Sequence, residues 1–354
     1  MLIKIGKNKI SKNSKTYFVA DIAANHDGSL ARAKKLIRLC AKAGADAAKF
    51  QHFKAETIVL DEGFKKIGKI SHQKKWKKSV HEVYKDASLN INWTKELKKE
   101  CLKNKIDFLT APYDLNYVDY VDKYIPAFKI GSGDITWKEI LVKIAKKKKP
   151  VLLACGASTL KETIDAVQTI RKYNKKIILM HCNTNYTNDP DNLNFINLNA
   201  LNQFNIIFKG KLILGLSDHT QGHTSVLGAI SLGARVIEKH FTDNNNREGP
   251  DHKFSLNPLT WKKMVIAARE LEKCMGNGYK KLEINEKKSV IVQRRGVWTN
   301  KYLKKGTKLK IEDLNFLRPC PKRSISPFDI KKYIGKKLKK NLYKNTLLIK
   351  ECIT

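Results

Sequence analysis

Two histidines each close an apolar, β-branched run of the sequence. His219 follows "LGLSD", and His240 follows "RVIEK". Because side chains alternate along a strand, Ser217 and His219 should share one face of their strand, and Glu238 and His240 one face of the next. Neutral imidazoles at successive strand ends can converge on one cation, and they suit Mn, Fe, Co or Zn better than Mg. The alternative is two structural histidines satisfied by hydrogen bonds.

Two lysines lie inside apolar strand patterns, Lys49 in "AAKFQ" and Lys129 in "FKIGS". No solvated face is available there, and an unpaired ammonium is costly to bury, so a functional role is favoured over a surface charge. Other polar residues close strands or lie in the following loops: Asp21, Gln51, Ser132, Ser158 and Tyr186. Lysines and hydroxyl groups aimed at one mouth indicate a pocket for phosphate or carboxylate. Asp251 could reach the metal or its water, or it could be a turn residue.

The expected positions of these residues follow from the predicted elements. Short apolar runs alternate with amphipathic stretches, which is typical of βα units. Strands are predicted at 17–23, 45–51, 106–111, 127–132, 151–156, 176–182, 212–218 and 235–241. Helices are predicted at 29–43, 92–104, 136–148, 159–172, 222–233 and 258–275. The pattern indicates an α/β fold, a (β/α)8 TIM barrel with its site at the strand C-termini. A doubly wound sheet is disfavoured because no GxGxxG follows the first strand.

The pattern of predicted elements changes after "CMGNGYKK", from βα units to short strands and turns. We expect a catalytic barrel over 1–277, a linker over 278–292 and a small β-rich domain over 293–354. Two fragments of that domain echo one another, "LKKGTKL" and "LYKNTLL", with Gly306 and Asn345 where a turn requires positive φ.

Composition narrows the function classes. The 354 residues carry a net charge of +37, but only 10 of the 70 basic residues are arginine. The lysines are spread along the whole chain, so we expect no nucleic-acid partner, although the charge can attract an anionic substrate. Nothing predicts a membrane span or a signal peptide. Seven cysteines without CxxC spacing indicate reduced thiols and a cytoplasmic location.

Several motifs together resemble one family. "ADIAANHDGSL", "AGADAAKFQ", "KIGSGDIT", "GLSDHT", "IEKHFT" and "GPDHKFSLNP" resemble the sialic acid synthases, in the family's order. The tail "GTKLKIEDLNFLRPC" is similar to the family's C-terminal antifreeze-like domain. The resemblance covers nearly the whole chain. It implies a metal-dependent condensation of phosphoenolpyruvate with an open-chain N-acetylhexosamine, which yields a nine-carbon α-keto sugar acid and phosphate.

The resemblance also implies roles for individual residues. His219 and His240 match the metal ligands, with Mn²⁺ as first choice and Mg²⁺ or Co²⁺ as alternatives. Lys49 and Lys129 match the phosphoenolpyruvate lysines, and Arg318 matches an arginine that one subunit places over its partner's barrel mouth in a domain-exchanged homodimer. Asp21 and Asp251 complete the expected catalytic set. The expected substrate contacts are Gln51, Tyr113, Ser132, Asp134, Ser158, Thr184, Tyr186 and Ser217.

Departures from the family pattern concern the acceptor sugar. Asp21 and Asp134 stand where the family commonly has Glu, Ala111 replaces a threonine, and Thr187 replaces a proline after Tyr186. N-acetylmannosamine is the expected acceptor, with the diacetamido hexoses that lead to legionaminic or pseudaminic acid as the alternative. Synthases of shorter 3-deoxy sugar acids, a metal-dependent aldolase and a saccharide-binding module are the remaining alternatives.

Overall fold

The protein is described by a computed structural model covering residues 1–70, 73–74 and 76–354. Eight parallel strands close into a barrel in the order β10-β3-β4-β5-β6-β7-β8-β9. The strands are β3 (Tyr17–Asp21), β4 (Ala47–His52), β5 (Asp107–Pro112), β6 (Phe128–Ile130), β7 (Val151–Ala154), β8 (Ile177–Cys182), β9 (Ile213–Asp218) and β10 (Ala234–His240). The predicted TIM barrel is confirmed, and each predicted strand overlaps an observed one.

Helices follow the strands as the βα pattern predicts. The predicted helices correspond to α1 (Leu30–Lys42), α5 (Thr94–Lys103), α7 (Lys138–Lys146), α8 (Leu160–Arg171), α10 (Thr224–Ser231) and α11 (Pro258–Cys274). Ser29 and Thr159 cap α1 and α8 by accepting hydrogen bonds from backbone N–H groups of the first turn. The sequence analysis missed two further helices, α6 (Leu115–Asp122) and α9 (Ala200–Ile207). Both are only eight residues long, which leaves little periodicity to detect.

Two further segments were not predicted. An N-terminal hairpin pairs β1 (Leu2–Ile5) with β2 (Asn8–Ser11). Its residues Ile3, Ile5 and Ile10 pack with apolar side chains of the barrel interior and close the N-terminal end of the barrel. Residues 53–93 form a long insertion after β4 with three short helices, α2 (Ala55–Ile58), α3 (Asp61–Ile67) and α4 (Val80–Ala87). This insertion supplies part of the cavity wall described below.

Apolar side chains divide into two layers around the strands. One layer fills the space between barrel and helices and includes Phe18, Leu36 and Ile140. The second fills the N-terminal part of the barrel interior and includes Leu109, Ile178 and others. Because apolar residues and the hairpin fill the lower barrel, polar inward-facing residues are confined to the strand C-termini.

The C-terminal unit, residues 277–354, is compact by itself. It contains a 3-10 turn at Ile284–Glu286, α12 (Lys287–Gln293) and the antiparallel pair β11 (Gly296–Thr299) and β12 (Leu314–Leu317). Its own small core includes Val297, Leu309 and Leu348. Gly306 and Asn345 have φ values of 85° and 61°, so the positive φ predicted for both turns is confirmed. None of the described helices is long and apolar enough to cross a bilayer.

Gly215 marks the closest approach between two barrel strands. A Cβ added there would lie 2.6 Å from the Val236 carbonyl oxygen and 3.0 Å from Met180 Cγ. The β9–β10 register also shifts between Ala234 and Val236. Only a residue without a side chain fits this position.

We predict that Gly215→Ala lowers the free energy of unfolding by about 1–3 kcal/mol, the usual penalty for overpacking a closed interior. Chemical denaturation measures this change. Gly63→Ala is the matched control, because its added Cβ would meet only Leu60 at ordinary distances of 3.6–3.7 Å. An equal effect of both substitutions would contradict the close-packing argument.

Candidate active site

Six polar residues meet at the C-terminal ends of five barrel strands. Five of them are predicted site residues, and the sixth is Glu238. They are all nearly inaccessible to solvent: Asp21, Lys49, Lys129, Ser217, Glu238 and His240. The strands β3, β4, β6, β9 and β10 bring them together from positions up to 219 residues apart in the sequence. The barrel therefore places a set of charges in its interior, as the strand-end pattern predicted.

The two lysines share one carboxylate. Glu238 Oε1 lies 3.2 Å from Lys129 Nζ and 3.5 Å from Lys49 Nζ, and Asp21 Oδ2 lies 2.7 Å from Lys49 Nζ. Burial alone would raise the pKa of Glu238, but the two ammonium groups outweigh it and lower that pKa to about 2. Burial likewise opposes the charge on Lys49, yet Asp21 and Glu238 raise the Lys49 pKa above its ordinary value. Lys49 therefore stays charged in the interior.

Glu238 is the principal residue to which the sequence analysis assigned no role. Its Oε1 also accepts a hydrogen bond of 3.3 Å from Ser217 Oγ. Its Oε2 is buried and has no hydrogen-bond partner among the described residues. The available signal was an acidic residue inside an apolar strand, two residues before His240 and on the same face.

The two histidines face each other across the β9–β10 ends. Their ring centroids are 5.3 Å apart, and Tyr186 stacks on the His219 ring at 4.3 Å. Burial lowers the pKa of His219 to about 3, helped by the neighbouring His240, and lowers that of His240 to about 4. Both rings are therefore neutral at pH 7, which is the form that binds metals.

The donor set fits a divalent cation. His219 Nδ1 lies 2.8 Å from the Asn183 carbonyl oxygen, which leaves Nε2 as the ligating atom. His240 Nδ1 is buried without a hydrogen-bond partner in the described part of the chain, and Asp251 Oδ2 lies 3.7 Å from it. The described residues contain no cluster of three or more metal-ligating side chains. Water or substrate would therefore complete the coordination of an ion held by His219 and His240.

A second part of the site is a narrow cradle beside Lys129. Gly156 donates its backbone N–H to Ser132 Oγ at 3.0 Å. A Cβ added to Gly156 would lie 2.6 Å from Thr184 Cγ2 and 2.9 Å from both Ser132 Oγ and Cys182 Sγ. Ser132 and Thr184 were predicted as substrate contacts, whereas Gly156 and Cys182 were not. Only a glycine fits here, because any side chain would clash with these three neighbours.

An open cavity of about 170 Å³ borders on His240 and Tyr186. Five predicted site residues line it: Gln51, Tyr113, Tyr186, His240 and Asp251. The insertion after β4 supplies an apolar and aromatic wall that includes Phe53, Ile58, Trp76 and Tyr84. Asp251 is held on the cavity wall because Ala24 N donates to its Oδ2 at 3.2 Å. Its neighbour His252 contacts Asp27 and Thr242 at 2.9 and 2.7 Å.

Asp134 lies next to this cavity with an altered acidity. Burial raises its pKa to about 6, although the Lys129 charge opposes the shift. Its charge in turn contributes to the raised pKa values of Tyr84 and Tyr113, after burial itself. The Asp134 carboxyl group is thus close to the cavity and half-protonated near pH 6.

Two further predicted site residues make hydrogen bonds within their own units. Ser158 Oγ donates to the Cys155 carbonyl oxygen at 2.8 Å and lies 3.3 Å from Thr163 Oγ1, so its hydroxyl is engaged at the start of α8. Arg318 lies in the C-terminal unit, exposed after β12, where its Nε donates to the Gln293 carbonyl oxygen at 2.5 Å.

Two regions of the chain match known protein families. Residues 36–280 match the NeuB family, and residues 294–354 match the SAF domain. The chain belongs to the NeuB family. It is therefore an enzyme of the synthase type, and the antifreeze-like tail predicted from sequence is confirmed as a SAF domain.

Similar proteins cover nearly the whole chain. N,N'-diacetyllegionaminic acid synthase of Campylobacter jejuni is 38% identical over 95% of this chain and 99% of its own length. Human N-acetylneuraminate-9-phosphate synthase is 27% identical over 95% of this chain and 92% of its own. The crystal structure of N-acetylneuraminic acid synthetase from Leptospira borgpetersenii, in complex with citrate, matches with a TM-score of 0.70 and 27% identity. That match covers 82% of this chain and 95% of the other.

We predict that Asp134→Asn raises the free energy of unfolding at pH 7 by up to about 3 kcal/mol. A carboxyl group whose pKa is raised on folding holds its proton more tightly in the folded state. Its penalty is therefore present above pH 6 and disappears as the pH falls toward 4, and the gain from asparagine should disappear with it. Denaturation at pH 7 and pH 4.5 measures the difference. A gain equal at both pH values, or one shared by the exposed control Asp165→Asn, would contradict the buried position of this carboxyl group.

Proposed function

We propose that this protein condenses phosphoenolpyruvate with an open-chain N-acetylated hexosamine, and that it releases a nine-carbon sugar acid and inorganic phosphate. One observation carries the proposal: two buried lysines and two neutral histidines gather at the strand C-termini, and His240 also lines a cavity whose wall includes Phe53, Trp76 and Tyr84. The first group suits a small polyanion, and the second suits a sugar carbonyl. Membership in the NeuB family supports the same reaction.

We assign the phosphoenolpyruvate end of the site to Lys49, Lys129 and the Gly156 cradle. Lys129 Nζ makes one ion pair, with Glu238, among the described residues, so ammonium donors are available for an incoming anion. Ser217 and Ser132 add hydroxyl groups at the same strand ends. Asp21 and Glu238 balance the two lysines when no anion is bound, which keeps the buried charges paired.

In the proposed reaction, C3 of phosphoenolpyruvate forms a bond to the aldehyde carbon, and the aldehyde oxygen takes a proton. A water oxygen adds to C2 and loses one proton. The C2–O bond to phosphate then breaks with its electron pair leaving on phosphate, and the new C2 hydroxyl becomes the ketone as its proton passes to the phosphate. Lys49 and Lys129 stabilise the separating phosphate charge, and such preorganised donors contribute a few kcal/mol each. Asp251 is positioned to orient the water or accept its proton beside His240.

We assign the metal site to His219 and His240, with Mn²⁺ as first choice and Mg²⁺ or Co²⁺ as alternatives. A divalent cation at this position supplies Lewis acidity toward a carbonyl oxygen. The two imidazoles contribute by staying neutral, buried and fixed in orientation.

For the acceptor, we place a diacetamido hexose ahead of the N-acetylmannosamine expected from the sequence. Among the described residues that line the cavity, none is a lysine or arginine, which disfavours a phosphorylated sugar. The wall formed by Phe53, Ile58, Trp76 and Tyr84 suits acetamido methyl groups better than free hydroxyls. The legionaminic acid synthase of Campylobacter jejuni, at 38% identity, supports the same order.

We further propose that the working unit is a homodimer in which Arg318 of one subunit reaches the barrel of the other. Arg318 is exposed, and its planar fork can address a carboxylate and a hydroxyl group together. The seven free cysteines support a reducing, cytoplasmic setting.

The acceptor is identified by phosphate release from phosphoenolpyruvate with Mn²⁺ and a panel of sugars. The panel contains 2,4-diacetamido hexoses, N-acetylmannosamine, its 6-phosphate and arabinose 5-phosphate. We expect release with the diacetamido sugars, weaker release with N-acetylmannosamine and none with the two phosphates, because the described residues that line the cavity include no lysine or arginine. Release with the pentose phosphate alone would favour a shorter-chain synthase. Release with none of the sugars would contradict the proposed reaction.

The composite site is tested by combining two inactive variants. Arg318→Ala and His240→Ala should each abolish turnover, since each removes one part of every active site. Co-expressed with different tags and isolated together, they should form mixed dimers that contain one intact site. In an unsorted one-to-one mixture about half of the dimers are mixed, and each of these has one intact site of two, so up to about a quarter of native activity should return. Activity of Arg318→Ala alone, or no recovery in isolated mixed dimers, would rule out the exchange.

A further inference from the structure

Asp218 and Lys239 form a buried ion pair directly behind the two histidines. Asp218 precedes His219 at the end of β9, and Lys239 precedes His240 at the end of β10. The two residues are register partners across these parallel strands. Because side chains alternate along a strand, the ion pair lies on the helix side while the histidines face the mouth. The reaction proposed above uses neither residue.

The pair is densely hydrogen-bonded. Lys239 Nζ donates to Asp218 Oδ2 at 2.5 Å and to the Thr220 carbonyl oxygen at 2.6 Å. Ser225 Oγ, in the first turn of α10, donates to Asp218 Oδ2 at 2.6 Å. The Thr220 N–H and hydroxyl groups donate to Asp218 Oδ1 at 3.1 and 3.0 Å. The Lys239 and Asp218 side chains are 1% and 0% exposed.

These bonds bracket His219 on both sides. Asp218 lies one residue before it, Thr220 lies one residue after it, and both are tied to Lys239 on the neighbouring strand. Lys239 in turn directly precedes His240. A shift of either strand end would break several bonds of defined direction. The backbone positions of both histidines are thus fixed relative to each other by one pair of side chains.

Stability alone does not account for an ion pair at this place. Apolar side chains of similar volume can replace a buried ion pair without loss of stability, because removing two charges from water is costly. Apolar contacts are not directional, however, and they allow small shifts between neighbouring strands. Hydrogen bonds between charged groups fix distance and angle more narrowly. The ion pair therefore contributes precision that an apolar contact would not.

We propose that Asp218 and Lys239 are positioning residues, which hold the ends of β9 and β10 where His219 and His240 converge and so set the metal affinity of the site. This inference rests on the proposed metal site. The proposed role predicts that loss of the pair lowers the metal affinity and leaves the stability of the barrel nearly unchanged. A purely structural role predicts a loss of stability instead.

The test is a double variant, Asp218→Asn with Lys239→Met, which removes both charges without leaving one unpaired. Mn²⁺ binding to the substrate-free protein is measured by calorimetry, together with the melting temperature and the Mn²⁺ dependence of turnover. Ser225→Ala is a milder second variant, because it removes one donor to Asp218 and keeps both charges.

The matched control lies at the opposite end of the barrel. Tyr17 donates its hydroxyl to Asp107 Oδ2 at 2.8 Å near the N-terminal hairpin. The double variant Tyr17→Phe with Asp107→Asn removes a comparable polar contact that is remote from the histidines. His240→Ala serves as the reference for complete loss of the metal site.

We expect the Asp218–Lys239 variant to bind Mn²⁺ about tenfold or more weakly, as is usual when partners behind metal ligands are removed. The melting temperature should stay near that of the native protein, and kcat should recover at saturating Mn²⁺. Ser225→Ala should weaken binding less, and the control should leave it unchanged.

Other outcomes overturn the inference. Mn²⁺ affinity within twofold of native, equal weakening in the control, or a variant that no longer folds would each show that the pair is structural only. If the native protein itself binds no Mn²⁺, the proposed metal site fails and the inference fails with it. If native binding is lost in His240→Ala yet kept in the double variant, the inference alone is wrong.

Discussion

The Glu238 carboxylate lies between two lysines in the barrel interior, and the chemistry of the mouth depends on that contact. Glu238 Oε1 lies within 3.5 Å of both Lys49 Nζ and Lys129 Nζ, so each buried ammonium group has a carboxylate partner. The same carboxylate is reached by Ser217 Oγ, so three strands share one acceptor. An anionic substrate can then bind by joining an existing charge network, which avoids the cost of burying charges from the beginning.

The apolar packing and the polar site residues lie at opposite ends of the barrel axis. At the N-terminal end, Ile3, Ile5 and Ile10 of the hairpin seal an apolar interior. At the C-terminal end, the described residues of the insertion after β4 contribute Phe53, Trp76 and Tyr84 to the wall of the cavity. The polar site residues therefore lie at the opposite end of the barrel from the hairpin.

Because side chains alternate along a strand, a single strand can contribute both to the candidate site and to the packing of the barrel. On β9 and β10, Ser217 and Glu238 face the mouth, whereas Asp218 and Lys239 face the helices. Asp218 and Lys239 directly precede His219 and His240 in the sequence, so the outward ion pair lies immediately behind the two inward histidines.

The sequence by itself determined the eight strands, six of the helices and the grouping of Lys49, Lys129, His219 and His240 at strand ends, since periodicity and burial are local properties. It did not identify α6, α9, the hairpin plug or the shared role of Glu238. Ser158 stays a prediction as a substrate contact, and in the structure its hydroxyl donates to the Cys155 carbonyl oxygen. Distances such as the 3.2 Å from Lys129 to Glu238 join residues more than 100 positions apart. Only the tertiary structure decided them, because barrel closure and strand register set which side chains meet.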